Sequence, residues 1–243
     1  MTQITRPGTL FLIPTNLTVP FSPAATLPAE VIQLVNRLDY FIAENAKTAR
    51  QFLKTIGPLH PLQQITIGEL NEHTPDHLLD ELLAPLLSGK DAAVISEAGA
   101  PGVADPGAKL VALAHTHRVP VSPCIGPSSI LLGLMASGLN GQHFSFHGYL
   151  PQERAARIRM IQKLEQESRK KKSTQLFIET PYRNTALLND LLASLTSTTL
   201  LCLAVNLTAP DQWIRTQTVA EWKTICVELD KKPALFLLLS AAQ

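Results

Sequence analysis

Cysteine is scarce and poorly placed for chemistry. Cys124, Cys202 and Cys226 are odd in number and far apart, with no C-x-x-C pair and no Cys/His group at zinc spacing. A disulfide frame and a structural metal are therefore not expected, and each thiol, set in an apolar run, reads as a small buried hydrophobe. Aromatics are 5% of the chain, so no base-stacking signature is visible. Charge of one sign is missing too: 21 Lys+Arg against 20 Asp+Glu leave a net +1. A nucleic-acid binder built on bulk charge would be more basic. The N-terminus "MTQITRPGTLFLIP" has no apolar stretch long enough for a signal peptide. The stretch 119–152 has no Asp, Glu, Lys or Arg, but Pro120, Pro123, Gly126, Pro127, Gly133, Gly138 and Gly141 interrupt it. No membrane span is expected, and the protein reads as soluble and cytoplasmic. Nucleotide and hydrolase signatures are absent as well: no G-x-G-x-x-G, no P-loop, no H-E-x-x-H and no G-x-S-x-G.

What is present is an ordinary globular chain of 243 residues, 45% hydrophobic, with mean hydropathy +0.11. That length suits one large domain or two small ones. Short β-rich runs alternate with helical stretches. Strands are predicted at 9–14, 40–44, 64–70, 92–97 and 119–124 in the first half. Those of the second half are predicted at 144–150, 174–180, 198–207, 213–219 and 233–239. Helices are predicted at 28–38, at 46–56, from Thr74-Pro75 to Gly89, from Asp105-Pro106 to Arg118, at 152–169, at 184–195 and at 221–229. Continuous apolar strands followed by helices mean a parallel sheet covered on both faces. Ten strands are many for one small sheet, so the chain divides into two α/β domains meeting near 121–127.

Ligands of open parallel sheets sit beyond the carboxyl ends of the strands. Polar and acidic residues stand there in this chain: Asn16, Glu44, Asn45, Glu72, Glu97, Glu179, Thr180 and Asn206. Any one of these alone is most simply a helix cap or a solvated side chain; their recurrence predicts an acidic, hydrogen-bonding cleft. The loop "EAGAPGVADPG" is the most unusual stretch, its glycines allowing close backbone approach to a ligand. Asp105 within it reads as the cap of the helix that follows. In "CIGPSSILLGLMASG", Ser128 or Ser129 opens a helix directly after a strand, where free N–H groups can hold a carboxylate or hydroxyl. Arg154, Arg157, Arg159, Lys163 and 169–172 form a basic run, which reads first as a solvated helix and second as a polyanion contact.

The blocks "GTLFLIPTNL", "FIAENAKTAR", "LNEH", "VISEAGAPGVADPG", "IGPSSI", "FSFHGYLP" and "LFIETPYRN" together resemble the tetrapyrrole methylase superfamily. The resemblance is closest to its branch of ribosomal RNA ribose-2′-O-methyltransferase I-like proteins. It implies S-adenosylmethionine (SAM) as methyl donor and usually a homodimer. It implies two unlike α/β domains, here 1–123 with a parallel five-stranded sheet and 124–243 with a mixed sheet, and SAM in the cleft between them. The cofactor contacts it implies fall on Leu17, Gly99, Ala100, Pro101, Val103, Ser128, Ser129, Ile130, Thr180, Asn206 and Ala234. No metal is needed for methyl transfer from a sulfonium. A ribose hydroxyl does require a base, and strand-end placement nominates Glu97, then Glu44 and Glu72. The expected acceptor is ribosomal RNA or the small-subunit particle, with no DNA and no membrane partner.

Three segments depart from that branch. Its P-T-P-I-G-N-L loop is here the shorter "PTNLTVPFS", its E-D-T-R block is "ENAK", and its R-E-L-T-K block is "VNLTA". A methyltransferase for a tetrapyrrole or other small molecule, and a SAM-binding module without catalysis, are the alternative readings.

Overall fold

The computed structural model describes residues 6–19 and 22–240. The chain forms two compact units, Met1–Ser128 and Ser129–Gln243. Among the described residues every strand expected from the apolar runs is present, each trimmed by one to four residues.

The first unit holds β1 (Leu10–Ile13), β2 (Tyr40–Ala43), β3 (Thr66–Glu69), β4 (Ala92–Ile95) and β5 (Val121–Pro123). They form one sheet in the order β3-β2-β4-β1-β5, and every pairing is parallel. Successive side chains of a strand point to opposite faces. Phe41, Ala43, Ala93 and Ile95 therefore pack one way, against α2 (Ala29–Arg37) and α3 (Ala46–Ile56), through Val35, Phe52 and Leu53. Tyr40, Ile42 and Val94 pack the other way, against α4 (Asp76–Leu87) and α5 (Gly107–Thr116), through Leu83, Leu86 and Leu110. Both central strands, β2 and β4, are buried at every residue, which explains their unbroken apolar sequence.

Helix boundaries shift where side chains find better partners than predicted. The α4 helix starts one residue later than expected, because the Thr74 hydroxyl accepts from the Asn71 N–H at 2.9 Å and does not cap the helix. Pro85 is accommodated in its last turn. A short helix, α1 (Pro23–Thr26), was not expected.

The second unit holds β6 (Phe144–Tyr149), β7 (Thr174–Ile178), β8 (Leu200–Val205), β9 (Trp213–Thr218) and β10 (Ala234–Leu239). Their order is β6-β7-β10-β8-β9; β6–β7 is parallel and the other pairings are antiparallel, so this sheet is mixed. The helices α7 (Arg154–Lys171) and α8 (Asn184–Ser194) cover one face, packing Ile161, Leu164, Leu187 and Leu191 on Phe177, Leu203 and Phe236. On the other face runs α6 (Ser129–Ser137). A Cβ on its Gly133 would stand 2.5 Å from a Leu235 methyl, so glycine sets how closely that helix approaches β10. The helix expected at 221–229 is only α9 (Val219–Trp222), held by a Thr218/Glu221 capping box. Cys202 is buried as expected and Cys124 half-buried, but Cys226 lies exposed. Among the described residues no helix is long and apolar enough to cross a membrane.

Candidate functional site

At the carboxyl edge of the first sheet, the chain leaving β4 folds back on the chain leaving β1. Thr15 N–H donates to the Gly99 carbonyl at 2.9 Å, and Gly99 N–H returns a bond to the Thr15 carbonyl at 3.3 Å. Two buried hydroxyls tighten the fold-back: Thr15 Oγ1 donates to the Ser96 carbonyl at 2.9 Å, and Ser96 Oγ to the Gly99 carbonyl at 2.8 Å. Gly99 has φ +77°, a conformation that disfavours any side chain. The Leu17 side chain lies beside it, 3.2 Å from where a Cβ would stand. Further along, Asp105 Oδ1 accepts from the N–H groups of Gly102 (2.9 Å) and Gly107 (2.7 Å). Asp105 thus caps as expected, but the helix begins at Gly107, and the same oxygen pins the preceding turn.

Carboxylates gather on this edge. Glu97 is exposed, and its Oε1 accepts from Thr48 Oγ1 on α3 at 2.5 Å. Glu44, at the end of β2, is half-buried. Burial first, then the negative charges of Asp105 and Glu97, a hydrogen bond with Asp105 and the charge of Glu72 raise its pKa to about 7. Asn45 is the N-cap of α3, its Oδ1 accepting from Lys47 N–H at 2.8 Å and Thr48 N–H at 3.3 Å.

A cavity of about 400 Å³ opens at the same edge, reaching the ends of β1, β2 and β4 and running along α3 from Thr48 to Thr55. Glu97 lines it, whereas Glu44 and Glu72 do not. None of Leu17, Gly99, Ala100, Pro101, Val103 or Ser128 lines it.

In the second unit, the strand ends carry their own polar groups. Buried Glu179 accepts from Thr180 N–H at 2.6 Å and from Arg183 Nη2 at 2.7 Å. Asn206 adopts φ +50°; its N–H donates to the Pro233 carbonyl at 3.0 Å and its Nδ2 to Asp211 Oδ2 at 2.7 Å. Ala234 opens β10 and pairs with Val205. Asn184 Nδ2 donates to the Lys232 carbonyl at 2.7 Å, holding the approach to that strand.

The sequence-predicted residues separate into groups. Glu44, Glu97 and Asp105 come together with the Gly99 loop, and Glu72 is near enough to act on Glu44 through charge. Pro101 is buried, Ala100 half-buried, and Val103 48% exposed. Ser128 ends the first unit, while Ser129 and Ile130 open α6. The basic run is mostly a solvated helix face, as expected, but three of its arginines have structural partners. Arg157 is buried and grips Asp190 at 2.6 Å, Arg154 holds the same carboxylate at 3.0 Å, and Arg169 reaches Ser240. Thr15, Ser96 and Thr48 escaped the sequence reading. Hydroxyls of this kind leave no pattern of their own; only the fold shows that they tie down the loop and Glu97.

A parallel α/β unit carried in one chain with a mixed-sheet unit is the architecture of tetrapyrrole methyltransferases. The fold matches the methyltransferase CobJ with a TM-score of 0.61 at 15% identity, over 96% of this chain and 93% of that one. It matches uroporphyrin III C-methyltransferase from Thermus thermophilus with a TM-score of 0.56 at 17% identity, over 96% and 97%. No family model matches the sequence. Curated relatives do. The ribosomal RNA small subunit methyltransferase I of Xylella fastidiosa is 30% identical over 221 residues, 91% of this chain and 76% of that protein. The protein of the same name from Micromonospora olivasterospora is 31% identical over 205 residues, 84% of this chain and 61% of that one. The chain belongs to the ribosomal RNA small subunit methyltransferase I family, and shares its fold with the two solved methyltransferases above.

Proposed function

We propose that this methyltransferase takes its methyl group from S-adenosylmethionine and delivers it to a ribose hydroxyl of small-subunit ribosomal RNA, working in the cytoplasm as a homodimer. The carrying observation is the carboxylate edge fused to the glycine loop. The names of the relatives supply the substrate class.

The residues present suit the donor. SAM supplies an electrophilic methyl group on a cationic sulfonium, and the acidic edge complements that charge. Gly99 lets the loop turn at φ +77° beside Leu17, which sets the course of residues 100–103. In this reading Leu17, Gly99, Ala100, Pro101, Val103 and Ser128 of the first unit contact the cofactor. Ser129, Ile130, Thr180, Asn206 and Ala234 of the second do the same.

A ribose hydroxyl is a poor nucleophile until its proton is removed. Glu97 is the base: it is exposed at the cavity, and Thr48 fixes one of its oxygens, leaving the other to accept the proton. Glu72 stands near Glu44 in the surrounding field, and Glu44, which keeps its own proton up to about pH 7, adds a negative charge only above that. Positioning and this field supply the rate, with no metal taking part. For the homodimer, Leu131 and Met135 on α6 are 55% and 79% exposed and are apolar surface that a second copy would cover.

The deciding experiment is calorimetry with SAM and S-adenosylhomocysteine, followed by transfer of labelled methyl to small ribosomal subunits. Label in the subunit RNA is the expected result. Cofactor binding with label reaching only a porphyrinoid, or nothing at all, would overturn the RNA reading. Sedimentation at micromolar concentration tests the dimer.

A further inference from the structure

The cavity beside Glu97 has a composition that the cofactor does not explain. Its buried floor is apolar, built from Ala43, Ala49, Phe52 and Ile95. Its rim carries Asn16, Thr48, Gln51, Thr55 and one carboxylate, Glu97, together with the exposed Val19. No Lys or Arg lines it, so a phosphate is not what it holds. It shares a wall with the cofactor loop, since Thr15 and Ser96 line the cavity and also bond to Gly99.

We propose that this cavity is the acceptor subsite, taking one nucleobase turned out of an RNA strand and setting its ribose against Glu97. The inference rests on the RNA reading above and adds where the acceptor sits. Three observations carry it. About 400 Å³ lies at the small end of ligand pockets, room for a nucleoside but not for a four-ring macrocycle with its carboxylate arms. An apolar floor containing an aromatic ring, under a rim of amides and hydroxyls, is the lining that pockets for extruded bases use. The side-chain amides of Asn16 and Gln51 offer hydrogen-bonding groups of both kinds. Asn16 is held in place by its Nδ2, which donates to the Thr18 carbonyl at 3.0 Å. The phosphates of the strand stay outside, away from the acidic edge.

The test fills the cavity from its exposed rim. Thr55→Trp, on the solvent side of α3, places a ring in the opening without touching the buried floor or Glu97. Gln51→Trp, one turn earlier, is the second route should the first variant melt early. Each is compared with the wild type in three measurements: SAM affinity by calorimetry, methyl transfer to small subunits, and saturation-transfer NMR with cytidine, uridine, adenosine and guanosine. The NMR uses protein saturated with S-adenosylhomocysteine, so that the donor site is blocked. Expected are unchanged SAM affinity, transfer reduced by about tenfold or more, and nucleoside signals present in the wild type and lost in the variants. Wild-type transfer by a folded variant, or nucleoside signals that survive filling, would overturn the proposal. Should the wild type methylate no RNA at all, the proposed function fails by itself. Nucleoside signals that still vanish on filling would then uphold the cavity as a nucleoside site, and their absence from the wild type would reject it.

Discussion

Replacing Glu44 by Gln gives the sharpest test of the carboxylate edge. Burial and the neighbouring Asp105, Glu97 and Glu72 raise the Glu44 pKa from 4.5 to about 7. In the unfolded chain the same carboxyl releases its proton near 4.5. Between those values the folded state holds a proton that the unfolded state does not. Its contribution to stability is therefore fully present below about pH 4.5 and is lost as pH rises to about 7. A shift of that size on a deeply buried group would be worth ~3 kcal/mol. Glu44 is half-buried and screened by water, so about 1 to 2 kcal/mol is expected. Gln mimics the protonated acid at every pH. The variant should match the wild type at pH 5 and exceed it at pH 8.5 by that amount, read from urea unfolding at both pH values. Equal slopes of stability against pH in the two proteins would refute the account of a proton held at Glu44.

Thr48→Val removes the hydroxyl that fixes Glu97 and should lower kcat by about tenfold with SAM affinity unchanged, while Thr48→Ser restores it; a full-rate Val variant would remove Thr48 from the mechanism. Gly99→Ala forces a side chain into φ +77° and against Leu17, and should destabilise the first unit by about 1 to 2 kcal/mol in urea unfolding; unchanged stability would refute the strain at that turn. Asp190→Ala leaves the buried Arg157 guanidinium without its partner and should destabilise the second unit by about 3 to 5 kcal/mol in denaturant. Replacing Arg157 and Asp190 together by Met and Leu should recover much of that loss.

How much the sequence tells depends on which force places a residue. Strands β2 and β4 are legible because burial on both faces demands unbroken apolar runs, and "YFIA" and "AAVI" have no other reading. The glycine loop is legible because only glycine adopts φ near +77° at little cost, as Gly99 and Gly102 do. Three things were not legible. The basic run hides two arginines whose charge is spent on Asp190, a residue 33 positions beyond Arg157 in the chain. Nothing local distinguishes them from the solvated lysines at 170–172. Thr48 looks like any helix threonine until α3 is laid beside the end of β4. The cavity is assembled from three strand ends and one helix, and a linear pattern cannot report a space.

The departures from the family pattern take on a different weight once these contacts are known. At position 45 the branch carries an acid, and an acid there could have been read as catalytic. In this chain Asn45 spends its side-chain oxygen on the first N–H groups of α3, a task that asparagine and aspartate perform equally well. At position 206 the backbone adopts φ +50°, a conformation in which asparagine is among the best tolerated of side chains, and its amide fastens Asp211. Both asparagines lack the acid's charge and each has a local hydrogen-bonding task in this chain. Of the acids that remain, Glu44 and Asp105 are hydrogen-bonded to each other, Asp105 pins the glycine loop, and Glu97 lines the cavity. The loss of these two carboxylates leaves both positions with a structural task of their own, the cap of α3 and the chain reversal after β8.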